Sequence, residues 1–128
     1  RVRIEELLDV AAEHGLFVLM EAFDAADLEL ARDLEASRTQ AQGQLLIGVN
    51  SRDLQTLQVR QERFAALAPH LPAGLLAVAE SGVASAADAL RMQRLGYGAA
   101  LIGTALMARE DPGPLLREIF AATRTVQP

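Results

Sequence analysis

The chain has 128 residues, 51% of them hydrophobic, with a net charge of −5 and no cysteine. This length supports one buried core, and no apolar run is long enough to cross a membrane. Without cysteine there is neither a disulfide framework nor a thiolate metal site, and an acidic chain with four Phe and one Tyr offers no basic patch or stacking platform for nucleic acid. The cytosol is the expected compartment.

Ile4, Leu7, Leu8, Ala11 and Ala12 recur at helical spacing and Gly15 stands where a helix ends, so 4–14 reads as an amphipathic helix. It begins almost at Arg1, as expected of a piece of a longer polypeptide. An apolar strand follows at 16–22. Asp24 caps a helix carrying Leu28, Ala31 and Leu34, which fades into a polar loop at 37–44. A second strand covers 45–50, a loop carries 51–58, and Phe64, Leu67, Ala68 and Leu71 mark a helix interrupted by Pro72 and Gly74. The third strand runs over about 75–79. Ser85 caps the next helix and Gly96 closes it. A fourth strand at 99–103 leads to a short turn capped by Thr104, and Asp111-Pro112 starts a final helix.

A helix followed by four strand and helix pairs, with strands apolar throughout, predicts an α/β fold whose parallel sheet is buried on both faces. Two architectures fit: a small open sheet, or the C-terminal four βα units of a (β/α)8 TIM barrel, with residues 1–128 as one half of a single domain.

Each strand ends in a polar cluster. Glu21 lies 29 positions before Asn50, and Asn50 lies 30 before Glu80, a period that places each at the carboxyl end of its strand, where parallel α/β sheets carry their chemistry. Burial at the end of the first strand would raise the Glu21 pKa toward that of a general acid or base, and Glu80 has a similar setting; a structural ion pair is the alternative, and two carboxylates at equivalent ends of separate strands weigh against it. Arg52 suits a bidentate grip on a carboxylate, and equally suits an internal pair with Asp53 or Glu80. Ser81-Gly82 and Gly103-Thr104 each put a hydroxyl beside a glycine between strand and helix, a setting that suits phosphate and also ordinary turns. His14 and His70 fall at helix C-termini. All twelve basic residues are Arg, so proton donation by a lysine of lowered pKa is excluded from this segment.

The run Leu46-Ile47-Gly48-Val49-Asn50-Ser51-Arg52-Asp53-Leu54 resembles the IGxNxRDL signature of the indole-3-glycerol-phosphate synthase family. Val78-Ala79-Glu80-Ser81-Gly82-Val83 is similar to that family's SESGI segment, and Leu101 to Met107 with Asp111-Pro112-Gly113 is similar to its last strand and phosphate loop. The resemblance implies barrel strands five to eight of an enzyme that closes the indole ring of 1-(2-carboxyphenylamino)-1-deoxyribulose 5-phosphate with loss of carbon dioxide and water. It implies Glu21 in proton transfer, Asn50 and Arg52 around the anthranilate part, Glu80 on the sugar, and Ser81, Gly82, Gly103 and Thr104 around the phosphate. It implies no metal and no organic cofactor.

The chain departs from the family where Ala22-Phe23 replace a common Val-His, where 35–44 is longer than usual, and where Thr104 replaces a more frequent Ser or Glu. The family's catalytic lysines and a further glutamate belong to the first half of the barrel, so this segment alone is expected to be inactive and to need that half as partner. Two alternatives remain at this stage: another phosphate-binding barrel such as phosphoribosylanthranilate isomerase, against which the Asn50 to Leu54 run argues, and a non-catalytic half-barrel that binds phosphate and self-associates through its open sheet edges.

Overall fold

The computed structural model describes residues 2–38 and 44–124. Its elements are α1 (Val2–Glu13), β1 (Val18–Ala22), α2 (Ala25–Ala36), β2 (Leu45–Asn50), α3 (Glu62–Leu67), a 3-10 turn (Ala68–His70), β3 (Leu76–Glu80), α4 (Ala86–Arg94), β4 (Ala99–Leu101), α5 (Thr104–Met107) and α6 (Gly113–Arg124). The four strands form one parallel sheet in the order β1-β2-β3-β4. Strand and helix alternate along it, the βα pattern of part of a TIM barrel.

Local signals set the element ends. Asp24 accepts from the N–H of Asp27 (3.0 Å) while Asp27 accepts from Phe23 (2.9 Å), and Ser85 and Asp88 repeat the arrangement at the start of α4. These reciprocal caps satisfy N–H groups that have no partner within the helix. At the other end of α4, Gly96 takes φ +96 so that Tyr97 N–H reaches the Met92 carbonyl (3.1 Å), and Gly15 closes α1 in the same manner. That closure sends Leu16 N–H to the Ala11 carbonyl (2.9 Å). Leu16 and Phe17 therefore belong to the turn, and β1 begins at Val18 instead of residue 16.

Three other expected boundaries move. Pro69 lacks an N–H, and the expected helix around Phe64 to Leu71 tightens into the 3-10 turn after Leu67. β4 stops at Leu101 instead of residue 103, because Gly103 already serves as N-cap of α5; Thr104 is the first residue of that helix and not its cap. The expected loop at 37–44 falls mainly outside the described residues.

The core lies between one face of the sheet and the helices. Ala22, Ile47, Val49, Ala77 and Ala79 pack there against Leu28, Ala31, Phe64, Leu67, Ala89 and Met92. The Phe64 and Tyr97 rings meet edge to face at 5.4 Å, and Tyr97 donates its hydroxyl to the Phe64 carbonyl (3.0 Å), so the one polar atom of this buried pair is satisfied. The alternate residues of each strand point the other way. That second face was expected to be buried, but Glu21, Leu76 and Leu101 on it are exposed, and Gly48, Val78, Asn50 and Glu80 are its buried residues. The helices of this chain shield one face only, and a closed barrel would shield the other.

Candidate active site

Strand register brings the polar strand ends together. Asn50 is the partner of Glu80, and Glu21 is the partner of Gly48 on the same strand as Asn50. The three polar residues lie on the face turned away from the helices, at the carboxyl end of the sheet. Asn50 donates through Nδ2 to Glu21 Oε2 (3.2 Å) and accepts at Oδ1 from the Arg52 N–H (2.9 Å), which fixes the side-chain amide from both ends. Arg63 of α3 donates Nη1 to the Asn50 carbonyl (2.7 Å) and sits 6.0 Å above the Phe23 ring. This guanidinium ties the ends of β1 and β2, and sequence reasoning missed it because no motif marks it; its only signal is its place on the first turn of the helix after β2.

Glu80 is 5% exposed and its Oε1 has no hydrogen-bond partner among the described residues. Its carboxyl folds over Gly48, where a Cβ would meet Glu80 Oε1 at 1.7 Å, so the carboxyl keeps this seat only while the position is glycine. Burial lifts the Glu80 pKa from 4.5 to about 7, with the negative charge of Glu21 and a side-chain hydrogen bond to it acting in the same direction. The expected burial of Glu21 is not met. Glu21 is exposed, because it stands on the edge strand beside a glycine that covers nothing, and the desolvated carboxyl is Glu80.

Arg52 donates Nη1 to the Leu57 carbonyl (3.0 Å), and among the described residues no ion pair joins it to Asp53 or Glu80. Asp53 instead accepts from the N–H groups of Gln55 (2.9 Å) and Thr56 (3.0 Å), holding its carboxyl below the usual range and closing a tight loop. Arg52 then lines a cavity of about 540 Å³ together with Glu80, Ser81, Gly82, Gly103 and Thr104. The structure thus gathers the site residues into two neighbouring groups, the Glu21, Asn50 and Glu80 cluster and the Ser81 to Thr104 cavity, with Glu80 common to both. His14 follows α1 and His70 ends the 3-10 turn. Among the described residues no group of three or more His, Cys, Asp or Glu is placed to hold a metal ion, and no helix is long and apolar enough to cross a membrane.

Parallel βα units with carboxylates at the carboxyl ends of the strands and a glycine-lined cavity beside them define a portion of a βα-barrel protein. Residues 1–119 match the sequence profile of the family described as indole-3-glycerol phosphate synthase. The chain is 42% identical over 125 residues to the indole-3-glycerol phosphate synthase of Methanothermobacter marburgensis, covering 98% of this chain and 43% of that protein. It is 36% identical over 121 residues to that of Chlorobium phaeobacteroides (94% and 43%) and 40% identical over 117 residues to that of an Exiguobacterium species (91% and 43%). The chain belongs to the indole-3-glycerol phosphate synthase family, and it spans less than half the length of the relatives it matches.

Proposed function

We propose that this chain supplies strands five to eight of an indole-3-glycerol-phosphate synthase, a cytosolic carboxy-lyase of tryptophan biosynthesis. The reaction closes the ring of 1-(2-carboxyphenylamino)-1-deoxyribulose 5-phosphate: a bond forms between the aromatic ring and the ketone carbon, the carboxylate leaves as carbon dioxide, and the former carbonyl oxygen leaves as water. That sequence needs a group that gives a proton to the oxygen and one that takes a proton from the ring system.

The observation that carries the reading is Glu80, buried, lifted to a pKa of about 7 and held beside exposed Glu21. A buried carboxyl lifted in this way can hold or release a proton near neutral pH, as acid and base work requires. Glu21 acts in proton transfer. Glu80, with Oε1 unpartnered, accepts or donates a hydrogen bond at a sugar hydroxyl and orients it. Asn50 and Arg52 face the anthranilate part, and Ser81, Gly82, Gly103 and Thr104 hold the phosphate. No metal and no organic cofactor enters these steps.

The chain has no lysine, so the cationic proton donor comes from the first half of the barrel, and this segment alone is inactive. The test is indole-3-glycerol phosphate formation followed by indole fluorescence, for this chain alone and for the barrel completed by a lysine-bearing first half. Activity only in the completed barrel supports the reading. A completed, folded barrel that leaves the substrate unchanged refutes it, and sole self-association of this chain would favour the non-catalytic half-barrel.

A further inference from the structure

The Ser81-Gly82 corner is the most constrained backbone at the site. Ser81 has φ +64 and Gly82 φ +76, so two consecutive residues occupy the left-handed region and one of them carries a Cβ. A side-chain-bearing residue keeps that conformation only where its surroundings enforce it. Two side chains from the segment after β2 do so. Ser51 Oγ donates to the Ser81 carbonyl (3.1 Å), and Gln61 Nε2 donates to the Gly82 carbonyl.

Both clamps are themselves anchored. Ser51 is fully buried, its N–H bonds the Glu80 carbonyl (2.9 Å), and its carbonyl accepts from Arg60 (2.8 Å). Gln61 immediately precedes α3. The corner is also packed against them: a Cβ on Gly82 would lie 2.7 Å from Val59 Cγ1 and 3.1 Å from Ser51 Oγ. With the two carbonyls engaged, the N–H groups of Gly82 and Val83 have no hydrogen-bond partner among the described residues, and both residues border the cavity of about 540 Å³. Successive backbone N–H groups left free in this way form a concave site for an anion.

We propose that Ser51 and Gln61 are positioning residues that preset the Ser81-Gly82 corner for the phosphate group of the substrate. This rests on the phosphate pocket proposed above and adds to it the two side chains that keep the pocket in its binding shape before substrate arrives. Neither clamp touches the substrate. Their effect belongs to phosphate affinity, and the chemical step is left to Glu21 and Glu80.

The test uses the completed barrel, with inorganic phosphate as probe and its Kd read from amide shifts, alongside kcat and KM for the carboxyphenylamino substrate. Gln61→Met keeps side-chain length and removes the donor; Ser51→Ala removes the other donor without adding bulk. Each is expected to raise the phosphate Kd and the KM about fivefold, the worth of one hydrogen bond, with kcat within about twofold. In a Ser81→Gly background the left-handed corner needs less help, so the Gln61→Met penalty should fall below about twofold. A purely structural role would give the same penalty in both backgrounds.

Unchanged phosphate Kd in both single variants overturns the proposal, as does a parent protein that does not bind phosphate at all. Phosphate binding with the expected losses but no turnover leaves the clamp standing and removes the synthase reading. Turnover with clamp variants indistinguishable from the parent does the reverse. Should Ser51→Ala fail to fold, Gln61→Met on the partly exposed side of the corner decides alone.

Discussion

Replacing Glu80 with glutamine separates the charge of this residue from its packing. The carboxyl is lifted from 4.5 to about 7, chiefly by burial. Each factor of ten in proton affinity is worth about 1.4 kcal/mol, so the full shift corresponds to about 3 kcal/mol, and solvent screening at exposed Glu21 brings the expected figure to about 2 kcal/mol. A folded-state pKa above the unfolded one means that the native state binds the proton more tightly. The associated stabilisation is therefore complete below pH 4.5 and is lost as pH rises through 7. Glutamine is a permanent stand-in for the protonated carboxyl, with an amide that can still donate to Glu21. Urea unfolding of the parent and Glu80→Gln proteins at pH 4.5 and pH 8 should give similar stabilities at the lower pH and a variant more stable by about 2 kcal/mol at the higher. Equal stabilities at both values, or a variant less stable at pH 8, would show that Glu80 is ionised without penalty and would remove its part in acid and base work.

Three further outcomes are expected. Gly48→Ala places a methyl 1.7 Å from Glu80 Oε1, and the carboxyl must leave its seat; carboxyl NMR titration should then find Glu80 back near the ordinary glutamate range, with about 1–3 kcal/mol lost from overpacking in thermal unfolding. In the completed barrel, Glu21→Gln should lower kcat by about a hundredfold or more with an unchanged far-ultraviolet spectrum, since it removes proton transfer while leaving an exposed position. Gly103→Asp has open space for its Cβ and extends a negative side chain at the cavity, so it should raise KM about tenfold or more through repulsion of the phosphate while kcat changes little.

Much of the architecture was legible because the signals were local. Apolar runs ending in polar residues at a spacing of about 30 mark βα units, and Asp24, Ser85, Gly15 and Gly96 mark helix ends by hydrogen bonds that reach no further than five residues. The same locality explains the errors. Leu16 is as apolar as any strand residue, and only the helix-closing bond to Ala11 removes it from β1. Glu21 and Glu80 look alike in sequence, yet their surroundings are set by sheet position: Glu21 stands on an edge strand, and Glu80 lies over the glycine of a neighbouring strand. Asn50 and Glu80 were legible as candidates because they end strands in register. Gln61 and Arg63 were not, because their roles arise from where α3 returns beside the ends of β1, β2 and β3.

The sheet order β1-β2-β3-β4 also shapes how the chain acquires its structure. Each strand pairs with the one made immediately before it, so every pairing joins residues about 20–30 positions apart and none waits for a distant segment. Contacts of such short sequence separation favour rapid formation. Synthesis from the ribosome can then lay down one βα unit on the last, each new strand finding its template already exposed, and a chain halted after α4 would still hold the β1-β2-β3 pairings.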